Sequence, residues 1–416
     1  MHMKNLLIVS SLLFLALVVR LYNFENRVTF GSEQARSLYV AANYVKDKPS
    51  LLGQEYFRVN SSGHKLFTSA IFGYSLVPLL LYFDYDPLLI SYYFAILNVI
   101  VGIVIYILVK KMFKTQIALI TLALYLFNSY MIYHSMFIWV LNYMPLLGML
   151  TLYLLWKIKN KKYNVRDILI LGVISGLGFG LQYLHILAIL IILIVIFKYS
   201  TRKMADLSIF LVGGIIGDIT QVLFDIRHDF YHLRTLWQYA VDTFNGVSDA
   251  GFVYYHFLTF WPLMLLVLGL FFHFIYTKNR FLFFVFFLIY IYFNLGSNLI
   301  NFNKPVGMPD GLKIADIAKA SEIIVTSGED NFNLVSLYDF DTRGYVLRYY
   351  VEFLDDKKPL SEIDYPSSDV VFALAKKDYN FKDNNPWELN VIKPYDVFVL
   401  DNLNDKFSIF KIERKI

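Results

Sequence analysis

Long blocks of apolar residues constrain this chain more than any other feature. Residues 6–19, 88–109 and 281–293 are almost entirely apolar, and about 20 such residues cross the hydrocarbon core of a bilayer. Only 17% of the residues are charged, against about 25% in an ordinary soluble domain. Blocks of this length do not fit a soluble core, so the sequence predicts a polytopic α-helical membrane protein.

Clusters of Lys and Arg predict how the chain crosses the membrane. Short cytoplasmic loops are enriched in these residues, so we place every cluster on the cytoplasmic side. An even number of spans must then separate consecutive clusters, which predicts about nine transmembrane helices, a cytoplasmic N-terminus and an external C-terminus. The clusters are Lys4 and residues 110–114, 157–166, 198–203 and 278–280.

One apolar segment does not fit this even count. If residues 66–83 crossed the membrane, the basic cluster at 110–114 would lie outside. We therefore predict a re-entrant or surface helix there, within a large first external loop that covers residues 23–87. The first span has no small-residue cleavage site before Arg20, so we expect it to remain uncleaved. The later spans are predicted at 88–109, 115–133, 138–157, 168–183, 184–198, 206–223, 257–276 and 281–297.

The chain changes character after Asn301, where it becomes polar. Residues 332–339, 369–377, 395–401 and 406–412 have the pattern of strands, and residues 312–324 and 343–354 have that of helices. These elements predict a small external α/β domain over residues 301–416.

Composition excludes several kinds of chemistry. The chain has no cysteine, which excludes disulfides, thiolate catalysis and cysteine-bound zinc. Its net charge of +5 is modest and dispersed, so we predict no nucleic-acid partner. The sequence has no phosphate-binding glycine loop of the P-loop or dinucleotide type.

Ionisable residues at a membrane edge are candidate functional residues, and three sets are predicted on the external side. The first set, Glu33, Gln34 and Arg36, follows the first span, and the second, His64 and Lys65, lies farther along the external loop. The third set follows the span at 206–223. If residues 225–238 form one helix, a basic, hydrogen-bonding face carries Arg227, Tyr231, Arg234 and Gln238.

Each set also has a structural interpretation. Ser32 can cap a helix whose dipole Glu33 complements, with Arg36 paired to Glu33. Arg227 and Arg234 can anchor the protein by contacting lipid phosphates. His185 lies in an apolar stretch, where a buried, hydrogen-bonded histidine is expected rather than a catalyst.

Two short motifs carry little weight. His228 and His232 have the spacing of a zinc-binding helix, but a zinc protease needs Glu after the first His, where this chain has Asp229, and no third ligand is evident. The sequence Asp-Tyr-Asp at 84–86 is similar to a motif of nucleotide-sugar enzymes. Asp86 followed by Pro87 is better explained as the start of the helix at 88–109.

The order of these features resembles the GT-C membrane glycosyltransferases, and within them the protein O-mannosyltransferase and aminoarabinose (lipid A) transferase group. FGSEQARSLYVAANYV is similar to that group's acidic loop motif, with Glu33 at the position of its carboxylate. Many relatives have Asp there and a second acid after the Arg, where this chain has Ser37. GHKLFTSAIFGY resembles the stretch that brings a basic residue, here Lys65, to the carrier phosphate. Further similar segments are YHSMFIWVLNYMP, GLGFGLQYLHIL, LFDIRHDFYHLR and DTRGYVLRYYVEFL.

The resemblance implies a fold and a reaction. It implies a GT-C-like transmembrane domain over residues 1–300, which transfers a hexose or pentose from a polyprenyl-phosphate donor with inversion. The site and the C-terminal domain would lie on the outer face of the cytoplasmic membrane, and Glu33 would take the proton from the attacking acceptor hydroxyl. The acceptor stays open between protein, lipid and glycan, as does a divalent metal; no other cofactor is indicated. The substrate-binding candidates are Gln34, Arg36, His64, Lys65, Asp225, Arg227, His228, Tyr231 and Arg234.

Two other functions compete with this one. A transporter or flippase of lipid-linked sugars would also be polytopic, but transporters place polar residues at mid-membrane and often have repeated halves. Here the polar residues gather at one face and no internal repeat is evident, which favours the glycosyltransferase. Another transferase or a hydrolase of lipid-linked substrates is the third hypothesis.

Overall fold

A computed structural model describes residues 2–247, 253–383 and 385–415 of the chain. Apolar helices make up most of the first 300 residues, and a hairpin of β1 (Leu52–Val59) and β2 (Lys65–Ser69) interrupts them. The helices are α1 (His2–Leu21), α2 (Ser32–Lys46), α3 (Ile71–Tyr82), α4 (Pro87–Met112), α5 (Thr115–Leu126), α6 (Ser129–His134), α7 (Met144–Lys159), α8 (Val165–Leu181), α9 (Ile186–Tyr199), α10 (Lys203–Gly217), α11 (Ile219–Arg227), α12 (Tyr231–Phe244), α13 (Trp261–Lys278) and α14 (Arg280–Leu295).

Within the described residues, three helices are long and apolar enough to cross a membrane. They are Met3–Leu21, Pro87–Met112 and Tyr254–Lys278, and α10 with α11 makes a fourth if this bent pair is one broken span. Other apolar helices, such as α5 and α14, are shorter than a full crossing. The fold is that of a multi-pass membrane protein, and the number of nine spans stays a prediction.

Several predicted segments differ from the structure. The span predicted at 115–133 is divided between α5 and α6, and the one at 138–157 is α-helical only from Met144 onward. The span predicted at 206–223 is bent by 83° at the break between α10 and α11, where Asp218 lies. In the segment 66–83 the first residues form β2 rather than a helix, and α3 follows with 12 residues. A helix of that length is about 18 Å long, too short for a core of about 30 Å, so the prediction that this segment does not span fits its length.

The start of α4 confirms the interpretation of the Asp-Tyr-Asp sequence. The Asp86 carboxylate accepts hydrogen bonds from the backbone N–H groups of Leu88 at 2.7 Å and Leu89 at 3.3 Å, and Pro87 is the first helical residue. Both features are favoured at a helix N-terminus, because the capped N–H groups have no partner within the helix.

Glycines bring α8 and α10 into backbone contact. A Cβ at Gly176 would lie 2.1 Å from the carbonyl oxygen of Gly214, and one at Gly217 would lie 2.2 Å from that of Val173. Small residues four positions apart allow such close approach in membrane helices, where van der Waals packing drives association. This contact fixes the end of α10 and therefore the point at which α11 turns away.

The C-terminal part is built on a four-stranded sheet. Its strand order is β3-β4-β6-β5, in which β3 and β4 are parallel and the other neighbouring pairs are antiparallel. All four strands and both helices predicted from the sequence are present. The elements are α15 (Ile314–Thr326), β3 (Phe332–Ser336), α16 (Tyr345–Phe353), β4 (Val370–Lys376), α17 (Trp387–Asn390), β5 (Tyr395–Asn402) and β6 (Phe407–Arg414).

The sheet packs against α2 through α16. The Tyr39 hydroxyl of α2 donates to the Glu352 carboxylate of α16 at 2.8 Å, and the Tyr39 ring packs edge-on against Phe353. Gly344, which precedes α16, has a φ of 71°, and a Cβ there would lie 2.8 Å from the Leu334 carbonyl oxygen. A glycine is required at this turn, which sends α16 back across the sheet toward α2.

Candidate active site

The loop that leads into α2 is anchored from both parts of the chain. The Arg27 guanidinium donates to the Val19 carbonyl at the end of α1 and to the Asn301 carbonyl, both at 2.8 Å. The Thr29 hydroxyl donates to the Val306 carbonyl at 2.6 Å. The first turn of α2, which carries Glu33, therefore starts from a backbone that is fixed before the helix begins.

A residue of the C-terminal part holds the N-terminus of α2. Gly31 is at the N-cap position and Ser32 is the first helical residue, so the prediction of Ser32 as the N-cap is wrong by one position. The Asp339 carboxylate accepts from the Ser32 backbone N–H at 3.1 Å and from its hydroxyl at 2.7 Å. Gln34 is buried, and its side-chain oxygen accepts from the Gly31 N–H at 2.9 Å. Asp339 thus takes the role that a local capping side chain usually has.

Arg36 is buried one turn after Glu33 and is held by other partners. Its guanidinium donates to the Glu55 carbonyl of β1, and it lies 3.8 Å from the Asp341 carboxylate. The guanidinium carbon also lies 5.7 Å from the centre of the Tyr345 ring. The structural interpretation in which Arg36 pairs with Glu33 is therefore corrected, because Asp341 forms the ion pair.

The Glu33 side chain is exposed to solvent, although protein atoms surround much of its carboxyl group. Burial raises the pKa of this carboxyl above its ordinary value, the charge of Asp339 raises it further, and Arg36 partly offsets both. Burial also raises the pKa of the neighbouring Tyr56, with a smaller contribution from the Glu33 charge. A carboxylate with a raised pKa that stays accessible is a stronger proton acceptor than an ordinary surface glutamate.

The hairpin places the second set of candidates at its exposed tip. Lys65 forms an ion pair of 3.0 Å with the Glu55 side chain, whose backbone carbonyl holds Arg36. The His64 ring packs against Tyr231 of α12, with 5.4 Å between the ring centres. The first two predicted sets therefore meet at Glu55, and His64 touches the third.

The third set does not lie on one continuous helix. The chain turns at Asp229 and Phe230, which have left-handed φ values of 51° and 57°, so Arg227 ends α11 whereas Tyr231, Arg234 and Gln238 belong to α12. The predicted helix over 225–238 is wrong for this reason. His228 lies in the turn, with its ring stacked 4.2 Å from that of Phe224.

Within the third set, one residue is structural and two are open to the surface. The Asp225 carboxylate accepts from the backbone N–H groups of His232 at 2.7 Å and Leu233 at 3.2 Å, so it caps the start of α12. Arg227 and Arg234 are exposed, and neither forms an ion pair with another residue that the structure describes. These two cations remain available to an external anion.

Several residues of this region have no signal in the sequence. Tyr183, Gln221 and His232 form a hydrogen-bonded cluster, with 2.6 Å between the Tyr183 hydroxyl and His232 Nε2 and 3.1 Å from the Gln221 amide to that hydroxyl. Asp242 of α12 accepts from the backbone and hydroxyl of Ser61, which fixes the hairpin turn. Asp339 and Asp341 lie about 300 residues after Glu33, so only the fold reveals that they contact Ser32 and Arg36 of α2.

The sequence analysis made two predictions about histidines, that the zinc-like spacing of His228 and His232 carries little weight and that His185 is structural. His228 lies in the turn after α11 whereas His232 lies in α12, so they are not one helical turn apart on a single helix. Among residues 2–247, 253–383 and 385–415, no three His, Asp or Glu side chains are grouped for metal binding. His185 is buried with Nδ1 3.3 Å from the Thr259 hydroxyl, as expected of a structural histidine.

Comparisons with known proteins identify a family model and solved structures to which this chain is similar. A family model described as dolichyl-phosphate-mannose-protein mannosyltransferase matches residues 77–220. No curated protein sequence matches the chain. The crystal structure of ArnT from Cupriavidus metallidurans in the apo state is similar over 98% of this chain and 97% of that one, with a TM-score of 0.58 and 10% identity.

A second crystal structure, ArnT from the same organism bound to undecaprenyl phosphate, gives the same result. It covers 97% of each chain with a TM-score of 0.52 and 9% identity. The chain therefore has the GT-C fold and is similar to the ArnT and protein mannosyltransferase group.

Proposed function

We propose that this GT-C-like membrane protein transfers a sugar from a polyprenyl-phosphate donor to an acceptor hydroxyl, with Glu33 as the general base. The observation that carries the proposal is the setting of Glu33 in the first turn of α2. Its carboxyl is accessible, its pKa is raised by burial and by Asp339, and its backbone is fixed by contacts from both parts of the chain. General-base catalysis requires a proton acceptor that is both accessible and basic.

The proposed step is an in-line displacement. The acceptor oxygen attacks C1 of the sugar while its proton passes to a Glu33 oxygen, and the bond between C1 and the phosphate oxygen breaks. Polyprenyl phosphate leaves with the bonding electrons, and attack from the opposite face inverts the configuration at C1. The negative charge that develops on the phosphate needs cationic neighbours.

Three exposed cations suit this leaving group. Lys65 lies at the hairpin tip, and Arg227 and Arg234 lie on either side of the turn between α11 and α12. Arg and Lys form strong, charge-assisted hydrogen bonds to phosphate oxygens. The ArnT structure bound to undecaprenyl phosphate and the dolichyl-phosphate description of the matching family both favour a lipid phosphate as the carrier.

We place the reaction on the outer face for two reasons, the positions of the Lys and Arg clusters and the way in which the sugar donor reaches the enzyme. The basic clusters at 110–114 and 157–166 favour a cytoplasmic position for their loops, which puts α2 and the C-terminal sheet outside. Nucleotide sugars are cytoplasmic, so an external enzyme needs a donor that is already carried across on a lipid. A hexose and a pentose both satisfy this requirement.

The test is single-turnover transfer with purified protein. Labelled polyprenyl-phosphate mannose and polyprenyl-phosphate aminoarabinose are supplied separately, with a cell-envelope extract as the acceptor pool. Glu33→Gln keeps the size of the side chain but cannot accept a proton, so we expect a loss of about 100-fold or more with donor binding retained. Glu33→Asp should keep part of the activity.

Glu25→Gln is the matched control, because Glu25 is an exposed carboxylate in the loop before α2. If Glu33→Gln transfers sugar at the wild-type rate, Glu33 is not the general base. If only Glu25→Gln loses transfer activity, Glu25 is the base instead. Transport of an intact donor without cleavage by the wild type would favour a flippase.

A further inference from the structure

An open cleft of about 460 Å³ lies at one end of the C-terminal sheet. Leu337 and Tyr338, which follow β3, form one wall, and the other is formed by Lys376, the last residue of β4, with the lining residues after it. Because β3 and β4 are parallel, both walls come from the carboxyl ends of neighbouring strands. Open α/β sheets bind ligands in the crevice outside these ends.

The lining of the cleft combines aromatic rings with free polar groups. Tyr338 and Tyr379 present rings, and the Tyr379 ring is supported by Phe381 at 4.9 Å. Lys376 and Asp378 are exposed, and neither forms an ion pair within the described part of the chain. Such a set offers apolar faces next to a cation and a carboxylate, which suits a ligand with C–H faces and many hydroxyl groups.

Two residues that line the cleft are chain neighbours of residues that contact the start of α2. Tyr338 is followed by Asp339, which holds Ser32 and raises the pKa of Glu33. Pro309, which also lines the cleft, follows Met308, whose sulfur accepts from the Phe30 N–H at 3.2 Å. Since the Cα atoms of Tyr338 and Asp339 are about 3.8 Å apart and Asp339 contacts Ser32, a short chain of sugars in the cleft can reach the first turn of α2.

We propose that this cleft binds the acceptor and that the acceptor is a carbohydrate, whose terminal hydroxyl then faces Glu33. This inference rests on the proposed glycosyltransferase function and names its acceptor class. A lipid tail would need an apolar groove, whereas Lys376 and Asp378 would leave charges against it. A sugar hydroxyl can instead donate to the carboxylate and accept from the ammonium group.

The first variant uses two exposed residues, so that folding is preserved, and the second uses the half-buried Tyr379. The cleft variant combines Lys376→Ala with Asp378→Ala, and a second variant, Tyr379→Ala, removes an aromatic ring. The matched control combines Lys358→Ala with Asp364→Ala, an exposed Lys and Asp of the same sheet region that do not line the cleft. Each protein is assayed as the full chain in detergent or lipid.

Two reactions are measured, transfer to envelope acceptor and slow cleavage of the labelled donor by water. We expect the cleft variants to lower kcat/KM for the acceptor about 10-fold or more, mainly through KM, while donor cleavage and KM for the donor stay at wild-type values. Linkage analysis of the product should show the transferred sugar attached to another sugar.

The outcomes separate this inference from the function on which it rests. Wild-type protein that cleaves no donor would refute the proposed function. Donor cleavage with normal transfer in both cleft variants, or with transfer and cleavage lost together, would overturn the acceptor cleft. Attachment of the sugar directly to Ser, Thr or a lipid alcohol would overturn the carbohydrate class.

Discussion

The carboxylate of Asp339 accepts two hydrogen bonds from Ser32, 307 residues earlier, at 3.1 Å from its backbone N–H and 2.7 Å from its hydroxyl. This contact joins the C-terminal sheet to the helix turn that carries Glu33. It satisfies a free N–H group of that turn and sets a negative charge beside the proposed base. The C-terminal part therefore influences both the position and the basicity of Glu33.

The pH dependence of turnover tests this influence. Asp339→Asn keeps an oxygen that can accept from Ser32 but removes the charge that raises the pKa of Glu33. The Glu33 pKa should fall, so the base would be deprotonated at lower pH. We expect the acidic limb of the kcat/KM profile to move to lower pH.

The control for this prediction is Asp310→Asn. Asp310 is an exposed carboxylate of the same region, paired with Lys304 at 2.9 Å and with Lys406. Its profile should match the wild type. An acidic limb that does not move in Asp339→Asn would mean that the Asp339 charge does not act on the proposed base.

Replacing Arg36 should move the same limb in the opposite direction. The Arg36 charge lowers the pKa of Glu33, so Arg36→Met should raise this pKa and shift the acidic limb to higher pH. Asp341 keeps its ion pair with Arg343 at 2.8 Å, so the loss of Arg36 does not leave that carboxylate without a cation. The double variant Arg36→Met/Asp339→Asn should lie between the two single variants, and shifts of the same sign in both singles would contradict this account.

Donor use should depend on the exposed arginines at the turn between α11 and α12. Arg227→Ala and Arg234→Ala each remove a cation that can bind the donor phosphate. Hydrogen bonds to charged groups contribute about 1.5–3 kcal/mol, so KM for the donor should rise roughly 10- to 100-fold with a smaller change in kcat.

Lys358→Ala is the control for the loss of a surface charge. Lys358 is exposed, and it lies in the C-terminal part of the chain rather than at this turn. If KM for the donor is unchanged in both arginine variants, these side chains do not bind the donor and instead anchor the protein in the lipid headgroup region.

The C-terminal sheet could be predicted from the sequence, whereas the completed site could not. β4 is a short apolar run that begins with two valines and a phenylalanine, and Asp86 with Pro87 marks a helix start by local chemistry. Glu33 is found through its place after the first span and its resemblance to a family motif. These signals lie within a few neighbouring residues.

The contacts that complete the site depend on long-range packing. Nothing near Asp339 in the sequence indicates that it reaches Ser32, and nothing near Arg36 indicates Asp341. The turn at Asp229 and Phe230 escaped prediction because neither residue is Gly or Pro, the usual signals of a helix break. The prediction of one continuous helical face from Arg227 to Gln238 is wrong for that reason.

Two adjacent glycines of α10 provide a matched test of the close contact between α8 and α10. A Cβ at Gly213 would lie 2.4 Å from the Leu169 carbonyl oxygen and 2.9 Å from the Gly172 Cα, whereas one at Gly214 has its nearest neighbour, the Gly172 carbonyl oxygen, at 3.9 Å. Gly213→Ala must push the helices apart and should cost about 1–3 kcal/mol of stability. Gly214→Ala fits without displacement and should be neutral or up to about 1 kcal/mol more stable, because Ala favours the helix over Gly.

Thermal unfolding of the two purified variants in one detergent would measure the difference in stability. Because α11 follows directly from α10, Gly213→Ala should also weaken donor use. Equal stability of the two variants would show that α8 and α10 do not approach as closely as their glycines indicate.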